Sequence, residues 1–541
     1  MAKKQDIAAP YVFNEDWYEL LKSKTFVKTF LEDVLEPYII KQRWYGGKAS
    51  SLKYVELVES FTIENDFKRY YGLLLEVNFK EAFYQHYFIP IAFVEDASLS
   101  EEGPIMELTL DGKKGYIIDG LYLEEFRQLL FEKIVQGNEG DELVVNYHSG
   151  EKLIDEDYKS SKFMGLEQSN TSIIFNERYV IKFFRRIYVS TNPDYEISRF
   201  LTEVAHFKNT PAYTGSINLR FDKDTVTLAL MQELIPNEGD AWQFMLKELD
   251  GVIDALGKRN ISLDSLPKLK LYKRIKINDI PPEIIDWAGL NIFLKIKQLA
   301  IRTAEMHVAL GSEFEDNRFA PTRYNSDYTV WLKNRLLYQF QNRINLIENN
   351  LHKLEGTTLE LAQHFLENKN IVRKKFIDFD WTSLKSERIR IHGDYHLGQV
   401  LVHGDDFYLL DFEGEPESTI RDRKVKQPPL KDVASMFRSF HYAIYATIFN
   451  AKEDSNLSED DKGKAGEILY RYFVGVFLQN YIHVVQANNL NIGYNQEIYF
   501  LLKYCLLEKA VYELGYELNS RPRWAIIPLK GIENILRNQD N

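Results

Sequence analysis

Three oxygen-bearing side chains between residues 394 and 411 constrain this chain more than anything else in it. Asp394 lies in His392-Gly393-Asp394-Tyr395-His396-Leu397-Gly398-Gln399, and Asp411 heads Asp411-Phe412-Glu413-Gly414-Glu415-Pro416. Between them, Val400-Leu401-Val402 and Phe407-Tyr408-Leu409-Leu410 read as two short strands. His403-Gly404-Asp405-Asp406 has the turn residues of a hairpin. Such a hairpin folds Asp411 back onto Gln399. A loop Asp can accept a proton from a hydroxyl nucleophile, while an amide and a second Asp can hold Mg²⁺ against nucleotide phosphates. The pattern therefore predicts kinase-type phosphoryl transfer, with Asp394 as the base and Gln399 and Asp411 as metal ligands. Gln399 is one methylene longer than Asn but still offers a carbonyl oxygen to Mg²⁺. Gly393 allows a tight backbone path before the base. His392 reads as a brace for the loop, and Tyr395 and His396 either line an acceptor pocket or pack. The rival is a metal hydrolase, in which His392, Asp394, His396, Asp411 and Glu413 would present ligands to zinc. It leaves the pattern of the preceding residues unexplained.

That pattern is a nucleotide lobe. Ser172-Ile173-Ile174-Phe175, Tyr179-Val180-Ile181-Lys182-Phe183-Phe184 and Thr225-Val226-Thr227-Leu228-Ala229-Leu230-Met231 are strand-like, with an amphipathic segment from about Pro193 to Phe207 between the last two. Lys182 can reach α- and β-phosphates. Glu196 sits in the helical segment after Asn192-Pro193-Asp194, where Asn192 is a plausible N-cap with Pro193 at the first helical position. A Lys182–Glu196 ion pair is expected to hold the lysine in place. The Gly-rich loop of protein kinases is replaced by Glu167-Gln168-Ser169-Asn170-Thr171-Ser172. Ser169, Asn170, Thr171 and Ser172 are thus the candidates to donate to phosphate. Gln232-Glu233-Leu234-Ile235-Pro236 has the character of a hinge, with backbone at Gln232 and Leu234 placed to pair with an adenine edge.

With 541 residues the chain has room for several domains. Residues 1–150 mix helix (Trp17 to Lys41, Tyr122 to Ile134) with alternating strands (Tyr70 to Phe79, Ala82 to Phe93) and read as an α+β cap. Residues 151–240 form the nucleotide-binding subdomain. Residues 241–541 are mainly helical, with candidate helices at 241–255, 285–311, 327–350, 357–369, 430–449, 463–487 and 494–519. The charged segments Gln341 to Glu355 and Glu453 to Lys464 read as solvated surface. The expected fold class is α+β, a bilobal kinase-like fold with an N-terminal cap. A net charge of −13 argues against nucleic acid as the partner. The single cysteine, Cys505, excludes an intrachain disulfide and reads as core. No apolar run spans a bilayer and no signal peptide is visible, so a cytoplasmic location is the default expectation.

These residues resemble bacterial maltokinase, which is similar in fold to aminoglycoside phosphotransferases and eukaryotic-like kinases. The resemblance rests on the two motifs above and on Pro429-Leu430-Lys431-Asp432-Val433-Ala434-Ser435-Met436-Phe437-Arg438-Ser439-Phe440. Arg43-Trp44-Tyr45-Gly46-Gly47-Lys48 looks like the family's cap motif, with Tyr45 where Phe is expected. Glu508-Lys509-Ala510-Val511-Tyr512-Glu513-Leu514-Gly515-Tyr516-Glu517-Leu518 with Arg521-Pro522 looks like its sugar-site helix. The phosphate-loop and hinge segments also fit. The resemblance implies ATP- and Mg²⁺-dependent phosphorylation of maltose at its anomeric hydroxyl. The product, maltose 1-phosphate, feeds α-glucan assembly from trehalose by way of trehalose synthase, a possible partner. Lys509, Tyr512 and Tyr516, spaced i, i+3, i+7, share a helix face suited to a sugar. Glu508 and Glu517 are nearby acceptors, and Trp524 is a possible second platform. Arg438 pairs with an acidic loop or contacts substrate, and Asp432 caps a helix starting near Val433 and braces the catalytic loop. The alternatives are a glucosamine or other sugar kinase, an aminoglycoside or choline kinase-like enzyme, and a non-catalytic sugar- or nucleotide-binding regulator.

Overall fold

Strand-forming residues dominate the first part of the chain. The computed structural model, which describes residues 11–138, 140, 144–153, 156–165, 169–259, 262–377, 381–450 and 458–537, builds two sheets from them. The chain divides into two compact units, residues 1–203 with 211–235 and residues 204–210 with 236–541.

In the first unit, one sheet runs in the order Tyr11–Phe13, Met106–Leu110, Lys113–Asp119, Tyr84–Val94, Arg69–Phe79, Leu52–Glu64, and Arg186–Ile187 adds to Tyr84–Val94. The strand Arg69–Phe79 is apolar on both faces, which corrects the reading of alternating apolar and polar residues. Leu73, Leu75 and Val77 pack with Phe26, Phe30, Leu35 and Ile39 of the helical stretch 24–41. Tyr70 and Leu74, pointing the other way, pack with Phe126, Leu130 and Ile134 of the helix Glu124–Gln136. The second sheet runs Val145–Ser149, Tyr213–Phe221, Asp224–Glu233, Tyr179–Phe184, Asn170–Phe175, Ser161–Phe163. Buried Arg185 ties the sheets together. It lies 2.8 Å from Asp119, donates to Thr171 Oγ1 at 2.8 Å and stacks over Trp44. Trp44 and Tyr45 of the Arg43-Trp44-Tyr45 motif are buried in the core of this unit, and Arg43 is exposed.

The second unit is mainly helical. Six of the expected helices appear as Ala241–Arg259, Ser326–Asn350, Gly356–Glu367, Leu430–Asn450, Glu459–Ala487 and Asn495–Ser520. The segment expected at 285–311 is two helices, Pro282–Ala288 and Leu290–Leu310, interrupted at Gly289. Lys369–Ile377 and Ile526–Arg537 are additional helices. Gln341 to Glu355 falls at the end of Ser326–Asn350, whereas most of Glu453 to Lys464 lies outside the described residues or at a helix start. Leu430–Asn450 is buried almost all round and takes Lys431, Asp432 and Arg438 inside with it. The expected hairpin is present, Val400–His403 against Asp406–Leu409, with Val400 opposite Leu409 and His403 opposite Asp406. Its turn is clamped: Arg302 donates to both carboxylate oxygens of Asp406 (2.8 and 2.7 Å), and Lys295 donates to Gly404 O at 2.8 Å. No helix among the described residues is long and apolar enough to cross a membrane.

Candidate active site

The loop carrying Asp394 is held by one buried carboxylate. Asp432, within the first turn of Leu430–Asn450, accepts from the backbone N–H of His392 (2.8 Å) and of Gly393 (3.0 Å). Its Oδ2 also faces His307 Nε2 at 3.1 Å, and His307 Nδ1 faces the Tyr481 hydroxyl at 2.8 Å. Burial raises the Asp432 pKa, but the hydrogen bond and charge of His307 and the neighbouring groups outweigh it and hold the carboxyl below its ordinary value. Asp432 is thus the brace expected from sequence, but not the expected cap, because the helix already starts at Leu430 and Asp432 lies inside its first turn. His392 is structural as well: its Nε2 donates to Leu410 O at 2.7 Å and its ring lies against Tyr395 and Phe412. Tyr395 is buried, with its hydroxyl 2.8 Å from Thr303 Oγ1. Gly393 has φ +86°, a conformation L side chains rarely adopt, and a Cβ there would meet Gly414 Cα at 3.2 Å.

The hairpin brings the two expected metal ligands together. Gln399 Nε2 donates to Asp411 Oδ2 at 2.9 Å. A carboxylate only accepts, so the Gln399 amide must face it with its nitrogen, which leaves the carbonyl oxygen for a cation. Asp411 has φ +63°, a strained conformation for a non-glycine residue that costs about 1–3 kcal/mol and concentrates at functional sites. A Glu413 carboxylate oxygen lies within 4.8 Å of an Asp411 carboxylate oxygen. Glu413 was not read as a magnesium ligand, although its place two residues after Asp411 was a signal. Hard oxygen donors of this kind fit Mg²⁺. They do not fit the zinc reading, because His392 Nε2 faces Leu410 O and His396 Nδ1 accepts from Gly398 N at 3.1 Å. Burial lowers the His396 pKa and keeps the ring neutral.

Lys509, from the helix Asn495–Ser520, reaches Asp394. Its Nζ lies 3.4 Å from Asp394 Oδ1 and 3.3 Å from Glu415 Oε1. Glu415 Oε2 accepts from Arg335 at 2.7 Å. Burial alone would raise the Glu415 pKa, but Lys509, Lys431 and Arg335 bring it down to about 2. Burial works against the Lys509 charge, yet Glu415 and Asp394 outweigh it and push its pKa up. Lys509 is therefore cationic at any physiological pH. Tyr512 lies beside it, with Lys509 Nζ 5.1 Å from the ring centre. Tyr516 is 54% exposed, further out along the same face.

Two expected substrate contacts are corrected. Arg438 is 2% exposed; its Nε donates to Glu513 at 2.8 Å and its Nη1 to His441 Nδ1 at 2.8 Å. Burial and the Arg438 charge keep His441 neutral, so it can accept. Glu508 is buried and accepts from Lys431 Nζ at 3.0 Å, which also donates to Gln427 at 2.9 Å. Both side chains lock the buried helix Leu430–Asn450 to Asn495–Ser520, an outcome their polarity concealed. Glu517 also turns inward, accepting from Tyr442 and Arg521 at 3.0 and 2.8 Å. Trp524 stacks on Tyr442 and is covered by Arg521.

In the first unit, Lys182 projects from the central hairpin, opposite Ser172 on one side and Leu230 on the other. The carboxylate set against it is Asp194, 3.3 Å away and 2% exposed. This corrects the expected Glu196 pair. Asn192 caps the helix Pro193–Arg199 by accepting from Asp194 N at 2.8 Å, and Glu196 accepts from Thr191 Oγ1 at 2.6 Å. Two residues along a helix turn the side chain by about 200°, so Asp194 and Glu196 face opposite ways. Thr171 and Ser172 are buried in the sheet, and Thr171 Oγ1 accepts from Arg185 Nε. Ser169 is exposed and Asn170 half-buried; Glu167 and Gln168 lie outside the described residues. Gln232 is paired in the strand Asp224–Glu233, and its side chain donates to Ser198 Oγ at 3.1 Å. The Leu234 N–H donates to Arg178 O at 2.7 Å, which takes it from any adenine edge.

No protein-family model matches the chain. A glucosamine kinase from Streptacidiphilus jiangxiensis is 20% identical over 291 residues, 53% of this chain and 56% of that protein. A glucosamine kinase from Mycolicibacterium smegmatis is 28% identical over 140 residues, 25% of this chain and 32% of that protein. The chain thus spans about half, or less, of the length of the curated relatives it matches. The solved structure of a glucosamine kinase in complex with glucosamine, ADP and inorganic phosphate superposes with a TM-score of 0.61 at 15% identity, over 97% of this chain and 100% of that one. A second crystal form of a glucosamine kinase gives 0.62 at 16% identity, again over 97% and 100%. The expected α+β kinase-like architecture is therefore shown: the fold of this chain is that of the glucosamine kinases.

Proposed function

We propose that the protein is an ATP-dependent sugar kinase that phosphorylates the anomeric hydroxyl of maltose, giving maltose 1-phosphate for α-glucan assembly from trehalose. The observation that supports an uncharged acceptor is the charge balance around Lys509. Asp394 and Glu415 share Lys509, Glu415 also holds Arg335, and Glu508 holds Lys431. A neutral sugar enters without breaking an ion pair. An acceptor with an ammonium group meets the Lys509 cation beside the base and pays like-charge repulsion in a poorly solvated place.

In this reading Asp394 orients the sugar hydroxyl and takes its proton. The hydroxyl oxygen bonds to the γ-phosphorus as the bond from phosphorus to the β-phosphate oxygen breaks, and ADP departs. Gln399 and Asp411, with Glu413 beside them, would hold Mg²⁺, which when bound neutralises charge on the phosphate oxygens. In the first unit, Lys182 with Asp194 is the group suited to steady the α- and β-phosphates. Positioning and charge neutralisation carry most of the rate, since the transition state is loose.

The second reading is a glucosamine kinase, favoured by the names of the relatives and of the matching structures. A coupled ADP-release assay with ATP and Mg²⁺ over maltose, glucose, glucosamine, trehalose and an aminoglycoside separates the two. Turnover on maltose, with a product resistant to reducing-end labelling, supports the first. Turnover on glucosamine alone replaces it with the second, and silence on every sugar favours a binding regulator.

A further inference from the structure

Arg343 has no role in the site as described so far. It stands on the helix Ser326–Asn350, with its guanidinium 3.9 Å from Glu417 and 5.7 Å from the centre of the Tyr512 ring. Lys509 approaches the same ring and touches Asp394. Asp394, Lys509, Tyr512, Arg343 and Glu417 thus form a continuous line of polar groups leading away from the proposed base. Side-chain exposure is 25% at Asp394, 14% at Lys509, 19% at Arg343 and 62% at Glu417. The line opens toward solvent.

A second observation comes from the facing helix. Gly515 lies within Asn495–Ser520, where glycine costs about 1 kcal/mol relative to alanine. A Cβ at this position would stand 2.2 Å from Arg343 Nε and 2.3 Å from its Cζ. Only bare backbone lets the guanidinium lie on this helix. Among the described residues Arg343 Nε is buried without a hydrogen-bond partner. A buried N–H with no acceptor is unfavourable, and the carboxylate beside the guanidinium, Glu417, is 3.9 Å away and 62% exposed. The helix gives up stability to seat an arginine whose Nε finds no acceptor among the described residues and whose Nη2 has a carboxylate only at 3.9 Å.

Resting on the sugar-kinase reading of this site, we propose that Arg343 and Glu417 form a distal acceptor subsite for a second sugar ring, so that the site prefers a disaccharide to a monosaccharide. Vicinal hydroxyls of a pyranose can accept from a guanidinium fork and donate to a carboxylate. With the reacting hydroxyl at Asp394, the first ring covers Lys509 and Tyr512 and the second reaches Arg343. Two cations approach the Tyr512 ring, so recognition of the second ring falls to hydrogen bonds rather than to stacking on that aromatic face.

The test uses the full chain with ATP and Mg²⁺, comparing wild type with Arg343→Ala, Glu417→Gln and Gly515→Ala. Arg343→Ala should lower kcat/KM for maltose at least tenfold, through KM, and leave glucose within twofold. Gly515→Ala reaches no sugar but displaces Arg343, and should act in the same direction with the thermal melt of the chain preserved. Equal losses on both sugars, or no loss on maltose, overturn the subsite. Calorimetric binding of maltose and of glucose to each variant, with ADP and Mg²⁺ present, separates this from the kinase reading. If wild type binds maltose more tightly than glucose, and Arg343→Ala abolishes the difference, the subsite stands even where maltose is not turned over. If wild type binds the two alike, the subsite falls whatever the assay shows.

Discussion

Replacing Asp432 by alanine should cripple the catalytic loop. The carboxylate is fully buried and serves three donors: the backbone N–H of His392, the backbone N–H of Gly393, and His307 Nε2. His307 can change tautomer and donate from Nδ1 to the Tyr481 hydroxyl instead, so two backbone donors are left stranded. A buried donor without an acceptor costs about 1–3 kcal/mol, and partial relaxation relieves some of that. The expected destabilisation is about 3–4 kcal/mol. Asp432→Asn keeps one acceptor oxygen but turns an NH₂ toward an N–H, so about 2 kcal/mol is expected for it. The loop also aims Asp394, so turnover should fall more steeply than stability alone explains. Urea unfolding followed by circular dichroism reads the first effect, and ADP release under conditions where the variant remains folded reads the second. A wild-type urea midpoint with wild-type kcat in Asp432→Ala would refute the claim that this carboxylate holds the loop.

The remaining predictions concern individual charges. Asp394→Ala should abolish turnover with folding and ATP affinity preserved, measured by ADP release, melting temperature and nucleotide titration; a variant with wild-type kcat removes Asp394 as the base. Lys509→Met should lower kcat/KM for maltose by two orders of magnitude or more and shift the ratio of glucosamine to maltose turnover upward, because the cation between Asp394 and Glu415 is gone; an unchanged ratio counts against the charge argument. Asp194→Asn should weaken ATP binding about tenfold, the equivalent of roughly 1.4 kcal/mol, whereas Glu196→Gln should stay within twofold. The Glu415 carboxyl sits at about 2 in the folded chain against an ordinary 4.5, which corresponds to about 3 kcal/mol. Because the folded value is the lower one, that stability is fully present above pH 4.5 and is lost as pH falls toward 2, so Glu415→Gln should flatten the acid limb of a stability-against-pH curve.

The constellation of Asp394, Gln399 and Asp411 was legible in the sequence because its geometry is local. A tight turn and two short strands suffice to bring Asp411 back onto Gln399, and both signals survive without knowledge of the rest of the chain. The placement of Lys182 on its strand was legible for the same reason, whereas the brace at Asp432 reaches His392 across 40 residues. Residue partnerships over long separations were not. Arg438 and Glu508 carry the polarity of surface or substrate contacts, yet their partners Glu513 and Lys431 lie 75 and 77 residues away and only helix packing brings them inside. The strand Arg69–Phe79 looked half-exposed because nothing in its own residues reveals that helices cover both faces. The choice of Asp194 over Glu196 turned on the phase of one short helix against one strand, a matter of about half a turn. Local pattern thus determined the elements that carry the candidate site. Which charges meet was decided by tertiary packing, since a charge finds its partner by the distance across space and not by the distance along the chain.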